Sequence, residues 1–400
     1  MNRIKIRRLL GAFFLLFSSV ATSAVLSEPL KMPNCLADKL SNYMLLAKDS
    51  DYSIVDVPVE DIPKIKELAE KEHCGLFVNA STKIPEVSLS EKKAHAQAFL
   101  KNNISPKFSE NNYVLLHPKE VREALSHVVP DNIWVTVSEL TQFTNRSSTQ
   151  NNGKNTAFWL QEKIEKMVKE SGRNDVSSFF VPTLGRYIQP SLVTVIGKNN
   201  KAPAVIIGAH MDTLGSLDSV RMPGADDDAS GLASSMEAAR VLLSSQLEFK
   251  RPIYIVWYAA EEMGLVGSQR VVQHFKQNHL PVYAVLQLDM TGYKKDENSM
   301  DKTIWIFRDY TDLSLSNFVS KLIKNYINVP IGYSKCGYGC SDHFSWHEAG
   351  FPAAFPCETS FEDHNPYIHS ASDKIDPLDL EHMTNFSKLG IAFALELALG

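Results

Sequence analysis

The sequence predicts an α/β/α sandwich with a mostly parallel central sheet, preceded by a small α+β unit. Three observations point there. Ala204–Ala209 (AVIIGA), Ile253–Ala259 (IYIVWYA) and Val282–Leu288 (VYAVLQL) are short, near-continuous apolar runs, as expected of strands buried on both faces. Helical patterns lie between or after them, at Phe158–Lys169, Ala229–Ser245, Leu265–Asn278, Leu313–Tyr326 and Leu380–Leu399. The texture also changes along the chain. Residues 25–110 are Lys/Glu-rich, with short pieces such as Ile62–Cys74 and no catalytic constellation, and the polar stretch Leu100–Asn112 (LKNNISPKFSENN) reads as a linker.

At 400 residues the chain exceeds what one hydrophobic core usually organises, consistent with two folded units. Arg3, Lys5, Arg7 and Arg8 precede an apolar stretch from Leu9 to Val20 and small residues ending at Ala24. That order is a secretory signal peptide, so residues 1–24 are expected to be removed and the protein to be extracellular. Residues 25–110 then form a propeptide or accessory domain, and residues 111–400 the catalytic domain. Hydrophobic residues at 44% and charged residues at 22% exclude a largely disordered chain. A net charge of −5 leaves no basic footprint for nucleic acid. No apolar run approaches the ~20 residues of a spanning helix, so no stable membrane insertion is expected. In an oxidising compartment Cys35 can pair with Cys74 and Cys336 with Cys340, leaving Cys357 odd.

Each apolar run stops at metal-binding residue types. The first leads into His210-Met211-Asp212, the second through Ala260 into Glu261-Glu262, and the third into Asp289. Ligands of open α/β sheets bind beyond the carboxyl ends of the strands, so these residues mark a site. Between the first two strands lies Pro223-Gly224-Ala225-Asp226-Asp227-Asp228-Ala229-Ser230-Gly231, a carboxylate-rich turn opening a helix. One aspartate suffices as a helix cap, and three exceed that need. His, Asp and Glu without thiolates suit a catalytic zinc with an open position, or a two-metal site. Asp212, two residues after His210, can orient that ring, and of the adjacent Glu261 and Glu262 one can ligate while the other takes a proton from water.

Other histidines compete for attention. Cys336-x₃-Cys340-x₂-His343-x₃-His347 has the composition of a structural zinc site, although export favours a Cys336–Cys340 disulfide. No His-Glu-x-x-His pattern occurs, and neither a Gly-x-Ser-x-Gly elbow nor a phosphate-cradling Gly-x-Gly-x-x-Gly is found. His274 and His279 read as solvated residues near a helix end, while His364 fits a pocket or an exposed loop equally well.

GAHMDT, PGADDDASG, AAEEMGLVGS, LQLDM, CGYGCSDH and NPYIH occur in that order, with FTNRSS (Phe143–Ser148) upstream. Together they resemble the secreted bacterial leucyl aminopeptidases with two co-catalytic zinc ions, of zinc-peptidase clan MH, over roughly residues 115–400. The resemblance implies that Asp227 bridges both metals, with His210 and Asp289 completing one zinc and Glu262 and His369 the other. It implies Glu261 as general base, Asp212 as support for His210, and a cis peptide between Asp227 and Asp228. It also implies a Cys336–Cys340 disulfide beside an apolar pocket, with Met290, Phe307, Tyr338, Phe361 and Ile368 as candidate walls. Cys357 and His364 depart from the family's aromatic residues, which bears on any preference for leucine.

The expected protein is thus a secreted, monomeric zinc aminopeptidase acting on peptides, in which water attacks a polarised carbonyl and Glu261 passes the proton to the leaving amine. Glutaminyl cyclases share the fold with one zinc but lack the histidine present here as His210. A carboxypeptidase would need a basic group for the substrate carboxylate, and none stands out. A non-catalytic ectodomain of this fold would be expected to have lost ligands or Glu261.

Overall fold

Two sheets form in the computed structural model, which describes residues 26–72, 74–102, 111–215, 217–295 and 302–399. The leader assigned to residues 1–24 and residues 103–110 of the expected linker lie outside the described residues. The first sheet comprises β1 (Ser27–Pro33), β2 (Met44–Lys48), β3 (Tyr52–Pro58) and β4 (Val78–Asn79), ordered β2-β3-β1-β4 with every pair antiparallel. Three helices complete this α+β unit: α1 (Asn34–Ala37), α2 (Ile62–Lys71) and α3 (Leu89–Lys101). The linker therefore begins later than the sequence suggested. Leu100 lies in the last turn of α3 and is buried with Leu46, Ile54 and Ala96, so its burial outweighs the polar composition around it.

The larger unit opens with α4 (Pro118–Leu125), α5 (Pro130–Leu140) and α6 (Asn151–Ser171), the first two each with proline in the first turn, where its missing N–H costs nothing. There follow β5 (Val176–Val181), β6 (Ser191–Ile196), β7 (Ala204–His210), α7 (Gly231–Ser244), β8 (Ile253–Tyr258), α8 (Val266–Gln277), β9 (Val282–Gln287), β10 (Ile304–Phe307), α9 (Leu313–Leu322), β11 (Ile331–Ser334), α10 (His343–Glu348), β12 (Ala353–Cys357) and α11 (Leu380–Ala398). The helical pattern predicted over Leu313–Tyr326 is divided, with α9 ending at Leu322 and a wider helical turn covering Ile323–Ile327.

These strands make one eight-stranded sheet, ordered β11-β10-β12-β9-β7-β8-β6-β5. Pairs β7–β8, β7–β9, β9–β12 and β10–β11 are parallel, so the centre of the sheet has the predicted parallel character. Every residue of β7 and β8 is buried because helices cover both faces. Alternate side chains divide between two cores. Val205, Ile207, Ile255 and Trp257 pack with α5, α6, α7, α9 and α11, whereas Ile206, Tyr254, Val256 and Val285 pack with α8 and α10. β7, β8 and β9 thus lie side by side, and their carboxyl ends open onto one edge.

Candidate active site

His210 ends β7, Glu261 and Glu262 follow β8, and Asp289 follows β9, so three neighbouring strands deliver them to one edge. The aspartate turn lies over this edge and contributes Asp227. Asp227 divides its two oxygens between the histidines, Oδ1 standing 2.8 Å from His210 Nε2 and Oδ2 2.8 Å from His369 Nε2. Asp289 Oδ1 is 3.6 Å from His210 Nε2, and Glu262 Oε2 is 3.2 Å from His369 Nε2. Two groups of convergent donors result: His210, Asp227 and Asp289, and Asp227, Glu262 and His369, the ligand atoms of each lying within 4.8 Å of one another. Asp289 Oδ1 is buried without a hydrogen-bond partner, the condition of an oxygen suited to a cation. The donor set, imidazole and carboxylate without thiolate, fits catalytic zinc.

The other two aspartates of the turn have structural work. Asp228 Oδ2 accepts the backbone N–H of His210 at 3.0 Å, and its Oδ1 accepts those of Gly231 at 2.9 Å and Met290 at 3.2 Å. Asp226 Oδ2 accepts from the Asn365 amide at 2.9 Å. The Asp227–Asp228 peptide is cis. Gly224 opens the turn at φ +53°, where an added Cβ would lie 2.4 Å from the Asp227 carbonyl oxygen, so only glycine fits. Asp212 stands 3.5 Å from His210 Nδ1 and accepts the backbone N–H of Glu261 at 2.9 Å.

Five residues around this centre were not singled out by the sequence reading. Arg146, fully buried, donates to the carbonyls of Met211 and Gly224 at 2.9 and 2.8 Å, and also to that of Pro223. Asp373 accepts the backbone N–H groups of Asp226 and Asp227 at 2.9 and 3.1 Å. Ser341 donates to Asp289 Oδ2, and burial pushes the neighbouring Asp342 carboxyl up to about 8. Lys66 arrives from α2, with Nζ bonded to Glu262 Oε2 and 3.8 Å from Glu261 Oε2. Arg146 and Ser341-Asp342 lie inside the quoted motifs without an assigned role, and Lys66 sits on the apolar stripe Ile62, Ile65, Ala69 of its helix, a detectable anomaly. Asp373 carried no such signal.

The site is rich in negative charge. Burial opposes protonation of His210 and His369, yet the surrounding carboxylates lift both well above the usual histidine range. Burial also opposes ionisation of Glu262, but the His369 ring and the Lys66 ammonium prevail and hold its carboxyl at about 2. Glu261 goes the other way, pushed well above the usual carboxylate range by burial. The adjacent glutamates are therefore shifted in opposite directions.

A cavity of about 230 Å³ adjoins these groups. Met290, Phe307, Tyr338, Phe361 and Ile368 all line it, beside Asp227, Glu261, Asp289 and His369. Cys336 and Cys340 are joined in a disulfide on its wall, so the alternative four-ligand zinc site has no thiolates to offer. Cys35 and Cys74 are likewise joined, and Cys357 is free, buried and on the cavity wall. His343 is buried and stacks on Phe355 with ring centroids 4.7 Å apart. His364 is exposed at the cavity rim and stacks on Phe361. His279 is exposed, but His274, expected in solvent, is half-buried because its ring packs on Phe179.

The family model described as Peptidase family M28 matches residues 191–394. Leucine aminopeptidase 1 of Ajellomyces capsulatus (strain H88) is 33% identical over 341 residues, covering 83% of this chain and 86% of its own length. The crystal structure of the LapA aminopeptidase of Legionella pneumophila is similar to this chain with TM-score 0.89 and 54% identity, over 94% of this chain and 100% of that one. LapB from the same organism gives TM-score 0.87 and 40% identity, again over 94% and 100%.

Proposed function

The chain belongs to peptidase family M28, and on that premise we propose a secreted, monomeric, dinuclear zinc aminopeptidase that removes apolar, leucine-like residues from peptide N-termini. The protein is a metallo-aminopeptidase, a hydrolase acting on peptide bonds, and its metal is zinc.

His210, Asp227 and Asp289 would hold one ion, and Asp227, Glu262 and His369 the other. Bound there, zinc supplies a Lewis acid that polarises the scissile carbonyl and makes water at the site more acidic. Glu261, which borders the cavity beside both groups, takes the proton from the attacking water and returns it to the leaving amine. Asp212 fixes the His210 ring and, through the backbone N–H of Glu261, the start of the segment that carries the base. The apolar walls exclude water and receive the first side chain of the peptide.

The observation that carries the two-ion reading is the division of Asp227 between His210 and His369, one oxygen to each. Metal content of the purified protein, measured beside hydrolysis of a panel of aminoacyl-anilides, tests it. Two zinc ions per chain are expected, with kcat/KM for leucyl-anilide exceeding that for aspartyl- or lysyl-anilide by roughly 10²-fold or more. One ion per chain, or a flat preference, would defeat the respective part. Residues 1–24 act as the export leader and residues 25–110 as a propeptide whose α2 covers the site. Active secreted enzyme still beginning near Val25, with a rate unchanged by limited proteolysis and dilution, would refute the covering role.

A further inference from the structure

We propose that Lys66 is a built-in competitor for the second metal subsite, so that metal binding at Asp227, Glu262 and His369 and the seating of helix α2 over the pocket exclude one another. This rests on the dinuclear reading above and adds a regulatory link to it.

Ile62, Ile65, Lys66 and Ala69 share one face of α2, and the three apolar members are buried in a cluster that also contains Tyr187, Met263 and Val266 of the larger unit. A lysine on such a stripe ordinarily turns its ammonium back to water. Lys66 does not. It is 4% exposed, and Nζ bonds to Glu262 Oε2, the same oxygen that stands 3.2 Å from His369 Nε2. The ammonium therefore balances the carboxylates of the second subsite from within.

A divalent cation facing that oxygen and an ammonium bonded to it are like charges in a buried setting, where repulsion is strong. One must leave, and Lys66, 4% exposed beneath α2, can carry its ammonium back to water only if the helix lifts. The cover moves with it, because Ala69, Gly75 and Leu76 line the same cavity. Gly75 has φ +74°, and a Cβ there would lie 3.0 Å from the Tyr338 ring, so the segment is pressed against the pocket wall.

The test uses the full chain stripped of metal with a chelator, titrated with zinc against a chromophoric competitor, as wild type and Lys66→Met. The variant is expected to bind its second zinc at least about tenfold more tightly, the scale on which a neighbouring unit charge acts at a buried site, and its first zinc unchanged. Hydrogen exchange gives an independent readout that needs no variant. In wild type, the second equivalent of zinc should lower amide protection across residues 62–71. Two zinc ions bound with equal affinity in both proteins, or unchanged protection of the helix, would overturn the competition and leave the dinuclear reading standing. One zinc per chain in both proteins would overturn both.

Discussion

Asp212 and His210 are neighbours at the heart of the site: a carboxylate oxygen of Asp212 lies 3.5 Å from Nδ1 of the ring, whose other nitrogen faces Asp227 and Asp289. The same carboxylate accepts the Glu261 backbone N–H. Asp212→Asn is therefore expected to loosen a proposed ligand and the base together. Zinc affinity or kcat/KM should fall by about 10–100-fold. Competitive chelation and steady-state kinetics on the variant check this, and wild-type values for both would remove Asp212 from the machinery.

Glu261 and Glu262 are adjacent but face different work. Glu261→Gln keeps the volume and cannot accept a proton, so metal should stay while turnover falls by about 10²–10⁴-fold or more. Glu262→Gln exchanges an anionic donor for a weak neutral one, so the second ion should bind less tightly and activity should partly recover with added zinc. Metal content and peptidase rate at several zinc concentrations separate the two. Zinc rescue of Glu261→Gln instead would reverse the assignment.

Arg146 ties three carbonyls around the aspartate turn, those of Met211, Pro223 and Gly224, from a fully buried position. Arg146→Met removes the donors and strands the acceptors. A loss of about 3–5 kcal/mol in unfolding free energy is expected, measured by denaturant titration. Arg146→Lys should recover little, because a point ammonium cannot reproduce the planar fork.

His343 gives a pH dependence away from the proposed ligands. Burial lowers its ring to about 3 from an ordinary value of 6.5. The unfolded chain therefore takes up a proton that the folded chain refuses, and stability falls as pH drops below 6.5 towards 3. The effect amounts to about 2 kcal/mol at pH 5. Thermal melts between pH 7 and 5 should show a smaller acid loss in His343→Phe than in wild type, and parallel losses would exclude the histidine as a source.

Much of this is legible in the sequence. Short, near-continuous apolar runs identify buried strands, and the residues that follow them fall at one sheet edge by topology, which is why His210, Glu261, Glu262 and Asp289 come together. The apolar stripes of α6, α7, α8, α9 and α11 repeat clearly enough to mark them as helices, whereas α4 and α5 were not anticipated and the polar neighbours of Leu100 assign it to a linker. The partners that serve the backbone were harder to see. Asp373 acts on the N–H groups of residues nearly 150 positions away, and no local pattern encodes such a bond. Lys66 differs: it visibly breaks the apolar stripe Ile62, Ile65, Ala69, but in a Lys/Glu-rich helix the break does not name its partner until a second unit is packed against it.

The cluster shared by α2, β1 and β3 with Tyr187, Ala260, Met263 and Val266 has a consequence for any cut between the two units. Severing the chain there would not part them, because the contacts are noncovalent, hydrophobic and already formed. It would turn an intramolecular equilibrium into a bimolecular one. Occupancy by the N-terminal piece would then depend on concentration, near complete where the protein is crowded and falling on dilution into a large external volume. Cleavage would make the pocket able to open, and the dilution that follows would set the moment at which it does.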